Sequence, residues 1–143
     1  MKVSTRFSDS IHILAFICIY QGKITLSSTN IAGSLETSPV VVRRLMTSLK
    51  EAGFIKTKHG TPDPELLVDP QKITLLDVYL ATEGQTPLFI IDHNTNPQCI
   101  VGGNIQSTLE DYYHHAETAV QQITLQDVID TILVKQAEKE KQS

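Results

Sequence analysis

The chain has only two cysteines, Cys18 and Cys99, in 143 residues. Two are too few for a disulfide framework and exclude a four-thiolate metal site. Also missing is any run of about 18 or more uncharged apolar residues, the length that a membrane-spanning helix needs. The longest apolar segment, IHILAFICIY (11–20), is short and lacks a basic lead-in followed by a small-residue cleavage pattern. A cytoplasmic protein with no membrane partner is the expectation. Hydrophobic residues make up 41% of the chain and charged residues 20%, which suits one globular domain, or one core domain with an extension.

Acidic residues are scarce in the first part of the chain and basic ones in the second. Residues 1–60 carry eight Lys/Arg against three acids, a net +5, whereas residues 61–143 carry four basic and thirteen acidic residues, a net −9. The formal total of −4 conceals this division. Such asymmetry is a cue for a polyanion partner on the basic part and a different task for the acidic part. Chance clustering on solvated faces is the alternative that charge alone leaves open.

Phe7, Ile11, Leu14, Ala15 and Cys18 share one helical face, and Ile13, Phe16, Ile17 and Ile19 cover much of the rest. A first helix over 7–20, buried on two sides, is expected. After Gly22-Lys23, Ser27 or Ser28 can cap a short second helix that buries Ile31, Ala32 and Leu35. Ser38 followed by Pro39 starts a third, because serine accepts from the free amides of the first turn and proline fits the first helical position. At 100° per residue, Val42, Leu45, Met46 and Leu49 face the core, while Val40, Arg44, Thr47 and Glu51 point away, flanked by Arg43 and Ser48.

Gly53 ends that helix, FIKTK (54–58) alternates as a strand would, HGTPDP (59–64) is a turn, and ELLV (65–68) can return antiparallel. Three helices, the middle one short, and then a hairpin form the pattern of a winged helix-turn-helix. The fold class is therefore mainly α with a small β wing. Further on, Thr74 with Asp77 forms a capping-box pattern for a helix ending at Gly84. ITLQDV (123–128) echoes ITLLDV (73–78), which reads as repeated use of one cap rather than an internal repeat. LFII (88–91) is expected as a short buried strand or extended piece, and DHNTNPQCIVGG (92–103) as a loop.

From Asn104 a long amphipathic helix carries Ile105, Leu109, Tyr112, Tyr113, Ala116, Val120 and Ile123. A stripe of about five turns exceeds what one small domain needs, so a homodimer through residues 104–123 is the natural way to bury it. The division expected is 1–84 for a DNA-binding domain. Residues 85–143 would supply a linker and sensor loop, the dimerisation helix and a C-terminal helix. KQAEKEKQS (135–143) is polar and expected to fray.

Four segments arriving in order, KVSTRFSDSIHIL (2–14), NIAGSLETSPVVVRRLMTSLKEAGFI (30–55), ITLLDVY (73–79) and PQCIVGGNIQSTLEDYY (97–113), resemble the Rrf-two family of bacterial winged helix-turn-helix repressors. The iron–sulfur regulator IscR, the nitric-oxide sensor NsrR and the cysteine-metabolism repressor CymR belong to it. The resemblance implies a homodimer with crossing long helices and paired recognition helices on a roughly palindromic double-stranded DNA operator. By position, Ser38, Pro39, Val40, Arg43, Arg44 and Thr47 would contact phosphates or base edges. Lys2, Ser4 and Arg6 at the N-terminus and Lys56 and Lys58 on the wing are candidates for backbone contacts. His59 stands where several family members carry a wing arginine. A solvated face with Arg43 and Arg44 paired to Glu51 or Glu36 is the competing reading of the helix.

Two departures from the family stand out. Thr61-Pro62-Asp63-Pro64 replaces a glycine-rich wing tip, stiffening it and setting a carboxylate near the expected phosphates. Family members that hold an iron–sulfur cluster use three cysteines in the region of 90–105, where this chain has Cys99 alone, so no cluster and no other cofactor is expected. Cys99 remains the sensor candidate, as a redox-active thiol or an inert one, beside a possible unknown small-molecule effector. Cys18 falls on the apolar face of the first helix and reads as core.

His93, His114 and His115 with Cys99 or Asp92 raise a metal site. Adjacent helical histidines diverge by about 100°, however, so none is expected. A Cys99–His93 pair lacks a third orienting residue and an oxyanion-stabilising turn, so no enzyme is expected. A dimeric DNA-binding transcriptional regulator, a repressor, is the leading reading. A dimeric sensor or protein-interaction module that kept the winged-helix shape but lost DNA affinity is the alternative.

Overall fold

The computed structural model describes residues 4–57 and 63–143. Lys2, Lys58 and His59 lie outside the described residues. The first helix, α1, runs Arg6–Tyr20 and is buried on two sides: Ile13, Leu14 and Ile17 are inaccessible, and Phe7, Ile11, Phe16, Cys18 and Ile19 pack partly against the same core. Gly22, at φ +77, turns the chain out of it. Ser27 caps α2 (Ser28–Leu35) by accepting from the Asn30 amide at 3.1 Å. Ser38 caps α3 (Pro39–Glu51) by accepting from the Val41 amide at 3.3 Å, with Pro39 at its first position. Both caps satisfy amides that a helix start leaves without partners.

Gly53, at φ +82, ends this stretch, and the chain enters β1 (Ile55–Lys56). It pairs antiparallel with β2 (Glu65–Leu66), Ile55 opposite Leu66 and Lys56 opposite Glu65. Both strands are shorter than the alternating segments 54–58 and 65–68. Only their inner ends meet the core: Ile55 is buried, whereas Leu67 is 53% exposed.

After a 3-10 turn at Pro70–Lys72 comes α4 (Leu75–Glu83), and after the linker and loop come α5 (Ile105–Gln122) and α6 (Leu125–Gln142). Thr74 with Asp77 and Thr124 with Asp127 each form a full capping box. The two ITLxDV segments also lie side by side. Thr74 and Thr124 form an isolated antiparallel bridge, in which Leu75 donates its amide to Ile123 at 2.9 Å and Leu125 donates to Ile73 at 2.8 Å. The repeated motif therefore starts two helices at one place, and buries Ile73 and Leu125 together there.

Val42, Leu45 and Leu49 of α3, Val78 of α4, and Leu125 and Ile129 of α6 join α1, Leu26, Ile31 and Ile55 in one core. The chain beyond Gly84 thus returns to the body built by the residues before it, through α6 packed on α1.

Two expectations are corrected. LFII (88–91) forms no strand and is not buried: Leu88, Phe89 and Ile90 are 36%, 40% and 87% exposed. Side chains hold this linker instead, since Tyr79 donates its hydroxyl to the Thr86 carbonyl at 2.7 Å, Tyr113 Oη accepts the Leu88 amide at 3.2 Å, and Phe89 meets the Tyr113 ring edge-on at 5.0 Å. An apolar run without a neighbouring strand has no ladder to join. The polar tail does not fray at 135 either, because α6 continues to Gln142. Its Lys, Glu, Gln and Ala residues are strong helix formers, and Gln136 donates to Glu140 one turn on at 3.2 Å.

No residue of α5 is buried. It packs on α4, and its stripe is half-buried within one chain at Ile105, Leu109, Tyr113, Ala116 and Val120, while Tyr112 is 60% exposed and Ile123, just past its end, 40%.

Candidate nucleic-acid interface

The outer face of α3 is exposed because the opposite one is filled. With Val42 and Leu49 at 0% and Leu45 at 4% exposure, the 100° step leaves Val40, Arg43, Arg44 and Thr47 outside. Neither arginine pairs with Glu36 or Glu51 among the described residues. Arg43 reaches back to α2, donating from Nη1 to Ser28 Oγ at 3.2 Å. The Arg44 side chain makes no hydrogen bond with the described residues. Thr47 donates its hydroxyl to the Arg43 carbonyl at 2.9 Å.

Ser38 spends its side-chain oxygen on the α3 cap, leaving its O–H available, and Pro39 is half-buried beside it. Ser4 and Arg6 are not brought to this face by their contacts. Ser4 Oγ donates to Glu83 Oε1 at 2.8 Å, and Arg6 Nη2 to Glu83 Oε2 at 3.0 Å, tying the N-terminus to the last turn of α4. Lys56 is paired across the hairpin with Glu65 at 3.2 Å. Asp63, expected as a carboxylate facing phosphates, instead accepts the Leu26 amide at 2.7 Å and fastens the base of the wing to the segment leading into α2.

Five residues beyond the sequence-derived set, Ser27, Ser28, Met46, Lys50 and Thr57, line the same concave face. They join Arg43 and Thr47 around an open concavity of about 330 Å³. Lys50 Nζ donates to Thr57 Oγ1 at 3.1 Å. A signal for Lys50 was present, since seven residues is two turns and places it beneath Arg43 on the same face. Ser28 and Thr57 carried none, because tertiary packing alone sets α2 and β1 beside α3.

The loop candidate lies apart from this face. Cys99 is exposed, and backbone N–H donors of Gly102, and next Val101, hold its thiol below the usual range. Gly102 and Gly103 are needed for that turn, because a Cβ on the first would run into the Asn96 carbonyl oxygen and one on the second would sit 2.8 Å from the Pro97 carbonyl oxygen. Cys18 is half-buried in α1, and burial pushes its thiol up to about 11.

Residues 3–131 match the family model Rrf2, described as an iron-dependent transcriptional regulator. The HTH-type transcriptional regulator YwnA of Bacillus subtilis is 38% identical over 119 residues, which span 83% of this chain and 87% of that protein. Among solved structures, CymR of B. subtilis, the global cysteine regulator, superposes with a TM-score of 0.73 at 19% identity, covering 92% of this chain and 98% of that one. IscR of T. potens gives 0.69 at 21% identity, covering 92% and 88%. Both show the winged-helix fold.

The family description names iron. Cys99 is the only thiol in the loop, and a cluster held by three thiolates and a further ligand cannot be assembled around it. Among the described residues no three His, Cys, Asp or Glu side chains converge on a point that would hold a metal ion. The donor set does not fit a cluster. No described helix is long and apolar enough to cross a membrane. The match to the family model over residues 3–131 and the 38% identity to YwnA over 119 aligned residues show the family: the chain belongs to the Rrf2 family, whose members are transcriptional regulators and not enzymes.

Proposed function

We propose that the protein is a cytoplasmic, homodimeric, sequence-specific repressor that inserts two copies of α3 into successive major grooves of a roughly palindromic operator. The observation that carries this reading is the two-sidedness of α3: an aliphatic face inaccessible to solvent, and an outer face on which Arg44 is unpaired among the described residues. A guanidinium on an exposed helix of this kind is geometrically suited to guanine O6 and N7. Residues 1–84 supply the DNA-facing unit. Residues 85–143 supply the sensor loop and the dimer contact, with α6 returning to brace the first unit. The α5 stripe supports the dimer, since a second copy would cover what one chain leaves open.

Cys99 is the effector candidate within this reading. Its thiol is exposed and its thiolate is favoured by two amides, the conditions under which a cysteine reacts. Selection of bound fragments from a random DNA pool tests the main proposal. A symmetric motif with halves about one helical turn apart is expected, and an unstructured pool after selection would overturn it. Peroxide treatment of the wild type and of Cys99→Ser tests the sensor: release from DNA only in the wild type supports it, and identical responses remove it.

Specific contacts favour a second reading, a dimeric sensor or interaction module that has lost DNA affinity. Arg6 is held by Glu83 and Lys56 by Glu65, so two cations expected on the backbone are already paired. Salt separates the readings. About five phosphate contacts per subunit would make log affinity fall with log salt at about 0.9 per contact, whereas a module without DNA affinity would give weak association even at low salt.

A further inference from the structure

The concavity beside α3 is built around two cations whose partners are neutral. Arg43 and Lys50 stand two turns, about 10 Å, apart along one side of the helix. Arg43 leans toward α2 onto Ser28, and Lys50 leans toward the wing onto Thr57, at 3.2 and 3.1 Å. Met46 and Thr47 form the floor between them. Among the described residues no carboxylate lines the opening and neither cation is ion-paired. Each hydroxyl that accepts from a cation keeps its own O–H to donate outward. Such an opening offers two positive charges and several donors, and no acceptor of compensating charge. That is the complement of a tetrahedral oxyanion with several acceptor oxygens.

We propose that this notch clamps one phosphodiester group of the duplex backbone, with Arg43 and Lys50 on either side of it and Ser28 and Thr57 positioning the two cations. The inference rests on the DNA-binding reading above and divides labour within it. Arg43 is a phosphate contact, Lys50 joins the interface, and of the adjacent arginines Arg44 alone is left for base edges. Phosphate contacts set register without carrying sequence information. A cation fastened to the scaffold by a hydroxyl is suited to that task, because it holds its place whatever base lies beneath.

The test uses the full-length protein with its selected operator, an unrelated duplex, and single methylphosphonate substitutions that neutralise one linkage at a time. Lys50→Met is expected to weaken both duplexes by the same factor and to lower the salt slope of the dimer by about 1.8, about 0.9 for each of its two lost contacts. One methylphosphonate position that weakens the wild type should weaken Lys50→Met by a smaller factor, since only Arg43 then holds that linkage. Thr57→Val should give a smaller loss of the same sequence-blind kind, and melting curves of both variants control for folding. An unchanged slope and methylphosphonate profile in Lys50→Met, with salt-dependent binding intact in the wild type, overturns the notch and leaves the DNA reading standing. Absence of salt-dependent duplex binding in the wild type brings down the DNA reading and the notch with it. Inorganic phosphate serves as the third arm. Saturable shifts of Arg43 and Lys50 resonances with phosphate, combined with unaltered DNA binding by Lys50→Met, would reassign the notch to a free anion and overturn the proposal.

Discussion

Arg43 and Arg44 are neighbours in the chain but leave α3 about 100° apart, so they do not share a task. Arg43 is fastened to Ser28, while the Arg44 side chain makes no bond to the described residues. Arg44→Ala is therefore expected to cost about 1–3 kcal/mol of operator binding and to relax preference at one base position. Competition between operator variants checks it, and an equal loss on every sequence would mark Arg44 as a phosphate contact instead. The two thiols differ by environment in the same manner. The Gly102 and Val101 amides stabilise the Cys99 thiolate, whereas burial disfavours that of Cys18. With its folded pKa lowered, the Cys99 interaction is present above the unfolded pKa and is lost as pH falls through the folded one. Alkylation of Cys99 should accordingly reach its half-maximal rate at a lower pH than that of a free cysteine, with Cys18 still unreactive there. Mass spectrometry of iodoacetamide-treated protein across pH reads both, and a Cys99 midpoint at or above that of free cysteine would refute the reactive-thiol reading.

At the scale of elements, the paired capping boxes join the two parts of the chain. Thr74 and Thr124 each start a helix, and their strand-like bridge brings Ile73 and Leu125 into one core. Thr74→Ala and Thr124→Ala should each destabilise the protein by about 1 kcal/mol, the usual effect of losing a cap. Because the two sites touch, the double variant should depart from the sum of the singles in a denaturant titration; strict additivity would mean that the bridge couples nothing. The capping pattern was legible in each hexapeptide, and so were the α2 and α3 starts at Ser27 and Ser38, because a cap is a local arrangement of three or four residues. The adjacency of the two boxes was not, since nothing local in either segment specifies the other fifty residues away. LFII shows the reverse failure. Its apolar composition suited a strand, but a strand also needs a partner, and the nearest support is the hydroxyl and ring of Tyr113.

At the scale of the whole molecule, α5 bears the face that the proposed dimer would cover. Tyr112 and Tyr113 are adjacent, yet Tyr113 is occupied by the linker while Tyr112 stands 60% exposed. Tyr112→Glu is thus expected to shift a dimer toward monomer without lowering the melting temperature of the monomer body, whereas Tyr113→Phe should release the Leu88 amide and leave assembly intact. Sedimentation velocity over a concentration series distinguishes these outcomes, and an unchanged dimer in Tyr112→Glu would move the contact off this face. Loss of the dimer should also weaken binding to a two-half-site operator far more than to a single half-site, since the two contacts would no longer be linked.

The amino-acid order alone determined most of the helices and which side of each is apolar, because periodicity, caps and turn glycines act within a few residues. It was enough to place Val42, Leu45 and Leu49 inward and Arg44 outward, and to show that one loop thiol cannot assemble a cluster. Tertiary packing decided which charges remain available. It set Glu83 against Arg6, Glu65 against Lys56 and Asp63 against the Leu26 amide, and it brought Ser28 and Thr57 to the two cations of α3. An ion pair or a shared hydroxyl depends on distances of about 3 Å between groups far apart in the chain, and only the folded arrangement sets those distances.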